Sequence, residues 1–148
     1  MCYICFTKTT LQDVFYLSPL VYNSSLDKYI YMILKKHSIT YLQLCHALYY
    51  IRKIRSFIEK HHKLVKEIFL IAIILSCKYT MDSPYKNSLW AKSMKMDLKD
   101  INSIELSFLI FIKYDLFVHE EYMRYWLTFI DNKTHKLINY PDCKVNYN

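Results

Sequence analysis

The stretch IFLIAIILSC, residues 68–77, decides the fold of this chain. It is apolar on nearly every side of a helix, whereas a helix at a protein surface has one apolar stripe and one polar face. Its ten residues are about half of the roughly 20 that a membrane-spanning helix requires. We therefore predict a central helix, over about residues 62–79, with neighbouring helices on all sides.

The composition of the chain excludes most other fold classes. Its 148 residues fit one domain, and an apolar content of 53% is too high for a disordered chain. The chain contains no glycine, which excludes phosphate-binding loops, dinucleotide folds and nucleophile elbows, because their backbone turns depend on that residue. Only 3 prolines and no Asn-Gly or Asp-Gly turns also argue against a many-stranded β fold. The prediction is an all-α protein.

Apolar residues at helical spacing predict further helices on both sides of the central one. Capping signatures at Ser24–Asp27 and Thr40–Gln43 precede the first two, and Asp97 caps a later one. The predicted helices cover residues 26–36, 40–58, 62–79, 90–92, 98–113 and 120–130. The last of them is expected to bury Tyr122, Tyr125, Trp126 and Phe129. Residues 1–25 are interpreted as an N-terminal leader with at most one short helix, and residues 131–148 as a flexible tail.

Two charged residues interrupt the apolar stripes of this bundle. Glu105 lies on the stripe Leu98, Ile101, Phe108, Ile112, and Lys78 ends the stripe Leu64, Ile68, Ile71, Leu75. Because a buried charge needs a partner, one interpretation is an internal Lys78–Glu105 bridge that fixes the register of the two helices. The other is that both charges lie at a rim where they meet a partner protein. Helical geometry alone favours the internal bridge.

The residues around these charges carry a resemblance to a known family. The central helix ends in Ser76-Cys77-Lys78-Tyr79, and the next helix carries Glu105, Leu106, Phe108 and Leu109. Between them lies the motif formed by Asp82, Ser83, Tyr85, Asn87, Trp90 and Ala91. From Leu70 to Trp126 the chain resembles the cyclin box, and it is most similar to the fungal phosphate-regulon (Pcl-type) cyclins, cyclin Y and the plant P/U-type cyclins. Weaker similarity extends the box over residues 26–130.

The resemblance implies a single five-helix cyclin box and a regulatory subunit of a cyclin-dependent kinase, which forms a heterodimer with that kinase. The positions that match kinase-contacting residues of cyclins are Lys78, Tyr79, Glu105, Leu109, Tyr114 and Leu116. On this interpretation the two charges contact the kinase, which reverses the geometric preference, although they can also contact each other. The chain supplies no catalytic group, and it needs no cofactor, metal, membrane or small-molecule substrate. The resemblance suggests the cell cycle or phosphate signalling, in the nucleus and/or cytoplasm.

The chain departs from the family at several positions. Most cyclins pair an Arg in the first helix with an Asp in the second, and Met32 and Arg52 occupy the aligned sites, which puts the packing of these helices in doubt. Residues 29–35 lack the Met-Arg-x-x-Leu docking motif, so we do not expect recruitment of Arg-x-Leu substrates. Residues 93–96 occupy the segment where relatives often carry glycine, so the local geometry is expected to differ there.

Two other function classes remain open. A cyclin-fold transcription factor would bind nucleic acid, and this alternative stays open, but the net charge of +7 is spread along the chain and not concentrated, which makes it the less favoured one. A pseudo-cyclin would bind a kinase, or nothing, without activating it. Cys2-x-x-Cys5 lacks a second ligand pair for zinc, and His61-His62 is interpreted as a solvated face. The chain has five cysteines and no secretory signal pattern, so we expect reduced thiols, with Cys45 and Cys77 in the core.

Overall fold

The computed structural model describes residues 23–134, and this part of the chain is all-helical with no strand. The predicted fold class is confirmed. The helices are α1 Ser24–Lys36, α2 Tyr41–Lys53, α3 Arg55–Lys60, α4 Val65–Thr80, α5 Asn87–Met94, α6 Leu98–Phe111 and α7 Glu120–Thr134, with a 3₁₀ turn at His62–Leu64 before α4. Cys2, Cys5, most of the predicted leader and most of the predicted tail lie outside the described residues.

Local capping explains where the first helices begin. The side chain of Asn23 accepts a hydrogen bond from the Leu26 amide at 3.0 Å and caps α1, so the predicted cap at Ser24 is wrong by one residue. Asparagine is as strong a cap as serine, and Ser24 lies inside the first turn. The capping box at Thr40 is confirmed, since Thr40 and Gln43 exchange hydrogen bonds between side chain and backbone.

The second predicted helix is divided in two. It ends at Lys53, and Ile54, with φ −109° and ψ 15°, separates it from α3, so the predicted end near residue 58 is wrong. Ile54 and Ile58 are both buried in the core cluster. The chain therefore bends at Ile54, and with this bend both Ile54 and Ile58 point into the core.

Helix α4 is the centre of the bundle, as its sequence predicts. Every residue from Ile68 to Cys77 is buried, and the helix packs against α1, α2 and α6. Cys45 and Cys77 lie in the core as expected, and burial raises the pKa of these thiols to about 12 and about 11. No helix within residues 23–134 is long and apolar enough to cross a membrane.

The ends of the predicted apolar stripes are more exposed than expected. Leu98 and Leu64 are 39% and 46% exposed, because Leu98 is the first residue of α6 and Leu64 immediately precedes α4, so both lie beyond the packed centre. On α7, Trp126 is buried and Tyr122 is half-buried, but Tyr125 is exposed, so its predicted burial is wrong. Met123, three residues before Trp126, takes the inward position and turns Tyr125 outward. The side chain of Phe129 lies outside the described part of the structure.

The two family departures in the first helices do not disturb their packing. Met32 and Arg52 are both exposed, and Arg52 donates a hydrogen bond to the Tyr122 hydroxyl at 3.2 Å. No charge is therefore buried at these positions, and the doubt about the packing of α1 against its neighbours does not apply. In the segment where relatives often have glycine, Lys95 adopts a left-handed conformation with φ 54°, so a non-glycine residue makes the turn that ends α5.

Candidate functional site

A polar network joins the end of α4 to the middle of α6. The Lys78 ammonium donates to Glu105 Oε1 at 2.5 Å, and the Asn87 amide donates to Glu105 Oε2 at 2.5 Å. The same amide nitrogen donates to Asn102 at 2.8 Å. Asn87 is the first residue of α5, so the network ties three helices together. The structure thus contains the internal bridge that helical geometry favoured, and it adds Asn87 as a second partner of Glu105.

The network lies at a rim of the bundle. The Glu105 side chain is 12% exposed and the Lys78 side chain 34% exposed. A lysine ammonium has three donors, so Lys78 can hold Glu105 and still donate outward to an acceptor on another molecule. An internal bridge and a contact with a partner protein are therefore compatible at this site.

Tyr79 projects from the rim next to a buried histidine. Its ring lies 5.6 Å from the ring of His46, and Tyr79 itself is 46% exposed. His46 Nδ1 donates to the Leu42 carbonyl oxygen at 2.9 Å. Burial lowers the pKa of His46, an effect that the hydrogen bond to Leu42 opposes in part. A neutral His46 therefore serves as the platform on which Tyr79 rests.

The loop after α6 presents another exposed aromatic residue. Lys113 and Tyr114 adopt consecutive left-handed conformations, with φ 57° and 55°, and the Tyr114 amide donates to the Leu109 carbonyl at 2.8 Å. This turn reverses the chain at the end of the helix and leaves Tyr114 59% exposed. Left-handed backbone is strained for residues other than glycine, so other contacts must hold the loop in place.

Those contacts come from α2. The Tyr50 hydroxyl donates to the Leu116 carbonyl at 2.9 Å, and burial raises the pKa of this hydroxyl, which keeps its proton. Lys53 donates to Asp115 twice, to its carbonyl at 2.8 Å and to its carboxylate at 2.6 Å. Hydrogen bonding and charge from Lys53 lower the pKa of the Asp115 carboxyl. The loop is thereby fastened to α2 while Tyr114 stays exposed.

The motif between α4 and α6 holds Asn87 in position for its hydrogen bond to Glu105. Trp90 is buried, stacks on His37 with ring centres 4.1 Å apart, and lies 6.5 Å from the Tyr85 ring. Ser93 contacts His37 Nε2 at 2.9 Å, and Ala91 is buried beside Trp90. These contacts fix α5, which carries Asn87. Asp82 and Ser83 are exposed in the preceding turn, so the structure does not bring them to this cluster.

Sequence reasoning missed several residues that hold this site, and three of them share one face of α2. Leu42, His46 and Tyr50 lie at intervals of four along α2, which places them on one helical face. That spacing was the available signal, but a buried His46 and a buried Tyr50 are also typical of an ordinary core stripe. The described residues contain no group of three or more His, Cys, Asp or Glu that could hold a metal. His61 and His62 are exposed, and the His61 ring contacts Phe57 at 4.3 Å.

Comparison with known proteins assigns the family. Residues 4–116, more than half of the 148-residue chain, match the family model described as Cyclin. The chain belongs to the cyclin family. The resemblance to the Pcl-type, cyclin Y and plant P/U-type branch is thus confirmed. Cyclins are non-catalytic regulatory subunits, and a role in binding cyclin-dependent kinases in general follows from this membership. No match was found among curated proteins or among solved structures.

Proposed function

We propose that this cyclin binds and activates a cyclin-dependent kinase through a surface formed by Lys78, Tyr79, Glu105, Leu109, Tyr114 and Leu116. One observation supports the proposal above the others: a circuit of contacts and of neighbouring positions along the chain connects all six residues. Lys78 and Tyr79 are adjacent in sequence, and the Leu116 amide donates to the Tyr114 carbonyl at 3.1 Å. Lys78 pairs with Glu105, Leu109 lies one helical turn beyond Glu105, and the Leu109 carbonyl accepts from Tyr114. The circuit returns through α2, from Leu116 to Tyr50, His46 and Tyr79.

The chemistry of this surface suits a helix as the bound element. Tyr79 and Tyr114 are exposed, while Leu109 and Leu116 are half-buried and packed against the core. Exposed aromatics on a rigid frame are typical anchors of protein interfaces, because they bury a large area and lose little entropy. Lys78 and Glu105 lie between the apolar positions and can meet backbone groups at a helix end. The kinase C-helix is the element that cyclins receive in this way.

Activation follows from preferential binding to one kinase conformation. A protein kinase is active when the Glu of its C-helix pairs with the ATP-positioning Lys. A cyclin that binds the kinase better when the C-helix lies inward shifts the population toward that state by its difference in affinity. The cyclin contributes no group to the phosphoryl transfer. As part of the same proposal, the family branch supports a role in phosphate signalling or the cell cycle, in the nucleus and/or cytoplasm.

The test is reconstitution with the cyclin-dependent kinases of the source organism. We expect wild type to bind one of them and to raise its activity, and the Lys78→Ala/Glu105→Ala variant to lose both effects while circular dichroism shows retained helix content. Tyr31→Ala is the matched control, since Tyr31 is an exposed aromatic on α1 outside the circuit. Binding without activation would indicate a pseudo-cyclin. Unfolding of the double variant would assign the two charges to stability.

A single substitution tests the aromatic anchor. Tyr79→Ala removes an exposed ring that rests on His46, so the core loses little, whereas binding of the kinase should weaken by about 1 to 3 kcal/mol. Titration of the kinase against labelled cyclin measures this difference. Unchanged affinity would place the interface elsewhere on the molecule.

A further inference from the structure

A groove lies on the flank of α6 that faces away from Glu105. Its volume is about 300 Å³, at the lower end of the roughly 300–1,000 Å³ of ligand pockets. Residues of α3, the turn before α4, α4 itself and α6 line it, and most of them are apolar. The lining includes Phe57, Leu64, Glu67, Ser107, Phe108 and Phe111.

The groove is separate from the proposed kinase-binding surface. Ser103 and Ser107 line it, whereas Glu105 and Leu109 belong to the contact circuit. On a helix with 3.6 residues per turn, residues two apart point about 200° away from each other. Ser103 and Ser107 therefore lie on the other side of α6 from Glu105, and Phe108, on the same stripe as Glu105, forms the buried floor between the two surfaces.

Two features of the groove are typical of a surface that binds another molecule. Glu67 Oε2 is buried and accepts no hydrogen bond from the described residues. A buried carboxylate oxygen without a donor is unfavourable, so a ligand that brings an N–H would be stabilised there. The rings of Phe57 and Phe111, 5.5 Å apart, form an aromatic wall, and Phe111 is 49% exposed. The groove thus offers one acceptor and an apolar surface.

The rim of the groove is basic. Lys60, His61, His62 and Lys63 are all exposed and lie in sequence between the lining residues Phe57 and Leu64. The acidic residue of this segment, Glu59, is half-buried and already has an interaction of its own, so the exposed charges here are the two lysines. None of the ion pairs found within residues 23–134 includes Lys60 or Lys63. Cations at a rim attract partners of opposite charge and set the rate and specificity of association. The rim therefore selects for acidic groups.

We propose that this groove docks an acidic, amphipathic segment of a partner protein other than the kinase. Apolar side chains of the segment pack against the wall formed by Phe57 and Phe111, and a backbone N–H donates to Glu67. Carboxylates flanking the apolar residues lie against Lys60 and Lys63. Backbone N–H groups are present in every peptide segment, so the hydrogen bond to Glu67 fixes the position of the segment along the groove without selecting its sequence. The preference for acidic segments comes from the lysines at the rim.

Selection of phage-displayed random peptides on the full chain tests the proposal. The selected peptides should combine Leu, Phe or Trp with neighbouring Asp or Glu. Synthetic versions should lose affinity about tenfold or more on Ser107→Trp, whose indole fills the groove, and on Lys60→Glu/Lys63→Glu. Ile110→Trp is the matched control, because Ile110 is exposed on the same helix outside the groove. Phe111→Ala provides a second groove variant if Ser107→Trp fails to fold.

Each other outcome overturns the proposal. Selection of basic or uncharged sequences, equal affinity for wild type and the groove variants, or no selected peptide at all would each show that the groove has a different role. Kinase binding by Ser107→Trp separates this inference from the proposed function. It should equal that of wild type, and a failure of wild type to bind any kinase would overturn the proposed function alone.

Discussion

Two carboxylates lie on opposite sides of α6, Glu105 on α6 itself and Glu67 on the neighbouring α4, and their hydrogen bonding differs. On one flank both oxygens of Glu105 are partnered, by Lys78 and by Asn87. On the other, Glu67 faces the groove with a buried oxygen that accepts no hydrogen bond from the described residues. The first flank holds its geometry before any partner arrives, whereas the second is completed by a donor from outside. Preorganisation of the first flank reduces the entropy lost on binding.

The largest expected effect comes from removing the carboxylate of the partnered flank. Glu105→Ala leaves the Lys78 ammonium and the Asn87 amide without their acceptor, so the free energy of unfolding should fall by about 1 to 3 kcal/mol. Glu67→Leu removes a buried oxygen that accepts no hydrogen bond from the described residues, so it should leave this free energy unchanged or raise it. Urea denaturation of both variants measures the contrast. Equal losses would show that the two flanks do not differ in this way.

The contrast also shows what the sequence can predict. Helix α4 is identified from residues 68–77 alone, because a run that is apolar on every side has only one place in a helical bundle. The pairing of Lys78 with Glu105 follows from two charges on facing stripes. Asn87 was identified only through the family motif, since an Asn at the start of a short helix has many possible partners.

Other features depend on tertiary contacts that no local pattern contains. The bend at Ile54 separates α3 from α2, and this bend creates one wall of the groove. The left-handed turn at Lys113 and Tyr114 involves two residues with no intrinsic preference for that conformation. It is held by Tyr50 and Lys53, more than fifty positions earlier in the chain. Periodicity cannot report such distant contacts.

Removing the hydrogen bond between Tyr50 on α2 and the Leu116 carbonyl should lower the free energy of unfolding less than breaking the Lys78–Glu105 ion pair does. Tyr50→Phe removes the hydrogen bond to the Leu116 carbonyl and keeps the buried ring, so unfolding free energy should fall by about 0.5 to 1.5 kcal/mol. The strained turn then loses one of its fastenings, and amide hydrogen exchange should become faster at residues 113–116. Tyr31→Phe, the same change at an exposed tyrosine of α1, is the control. Unchanged exchange at these amides would mean that Lys53 alone fixes the loop.

Filling the groove should stabilise the unpartnered flank slightly. Ser107→Leu adds apolar volume against Phe108 and Phe111, and cavity filling of this kind yields about 0.5 to 2 kcal/mol, with the low end expected in an open groove. Thermal unfolding compared with Ile110→Leu measures the gain at a matched helical position. A loss of stability would show that the groove is too narrow for a leucine, and it would weaken the case for an apolar occupant.

The smallest expected effect is a dependence of the partnered flank on pH. Burial lowers the pKa of His46 below its usual 6.5, so the unfolded chain binds a proton at a higher pH than the folded protein does. The neutral ring therefore contributes its full stability above pH 6.5, and stability falls as the pH drops from 6.5 through the lower folded value. His37, whose pKa burial also lowers, adds to the same slope. When the melting temperature is measured at pH 6.5 and at a series of lower pH values, it should fall less steeply with pH for His46→Gln than for wild type. An identical slope would mean that His46 binds its proton at the same pH in the folded and in the unfolded chain, so that its burial is not coupled to folding.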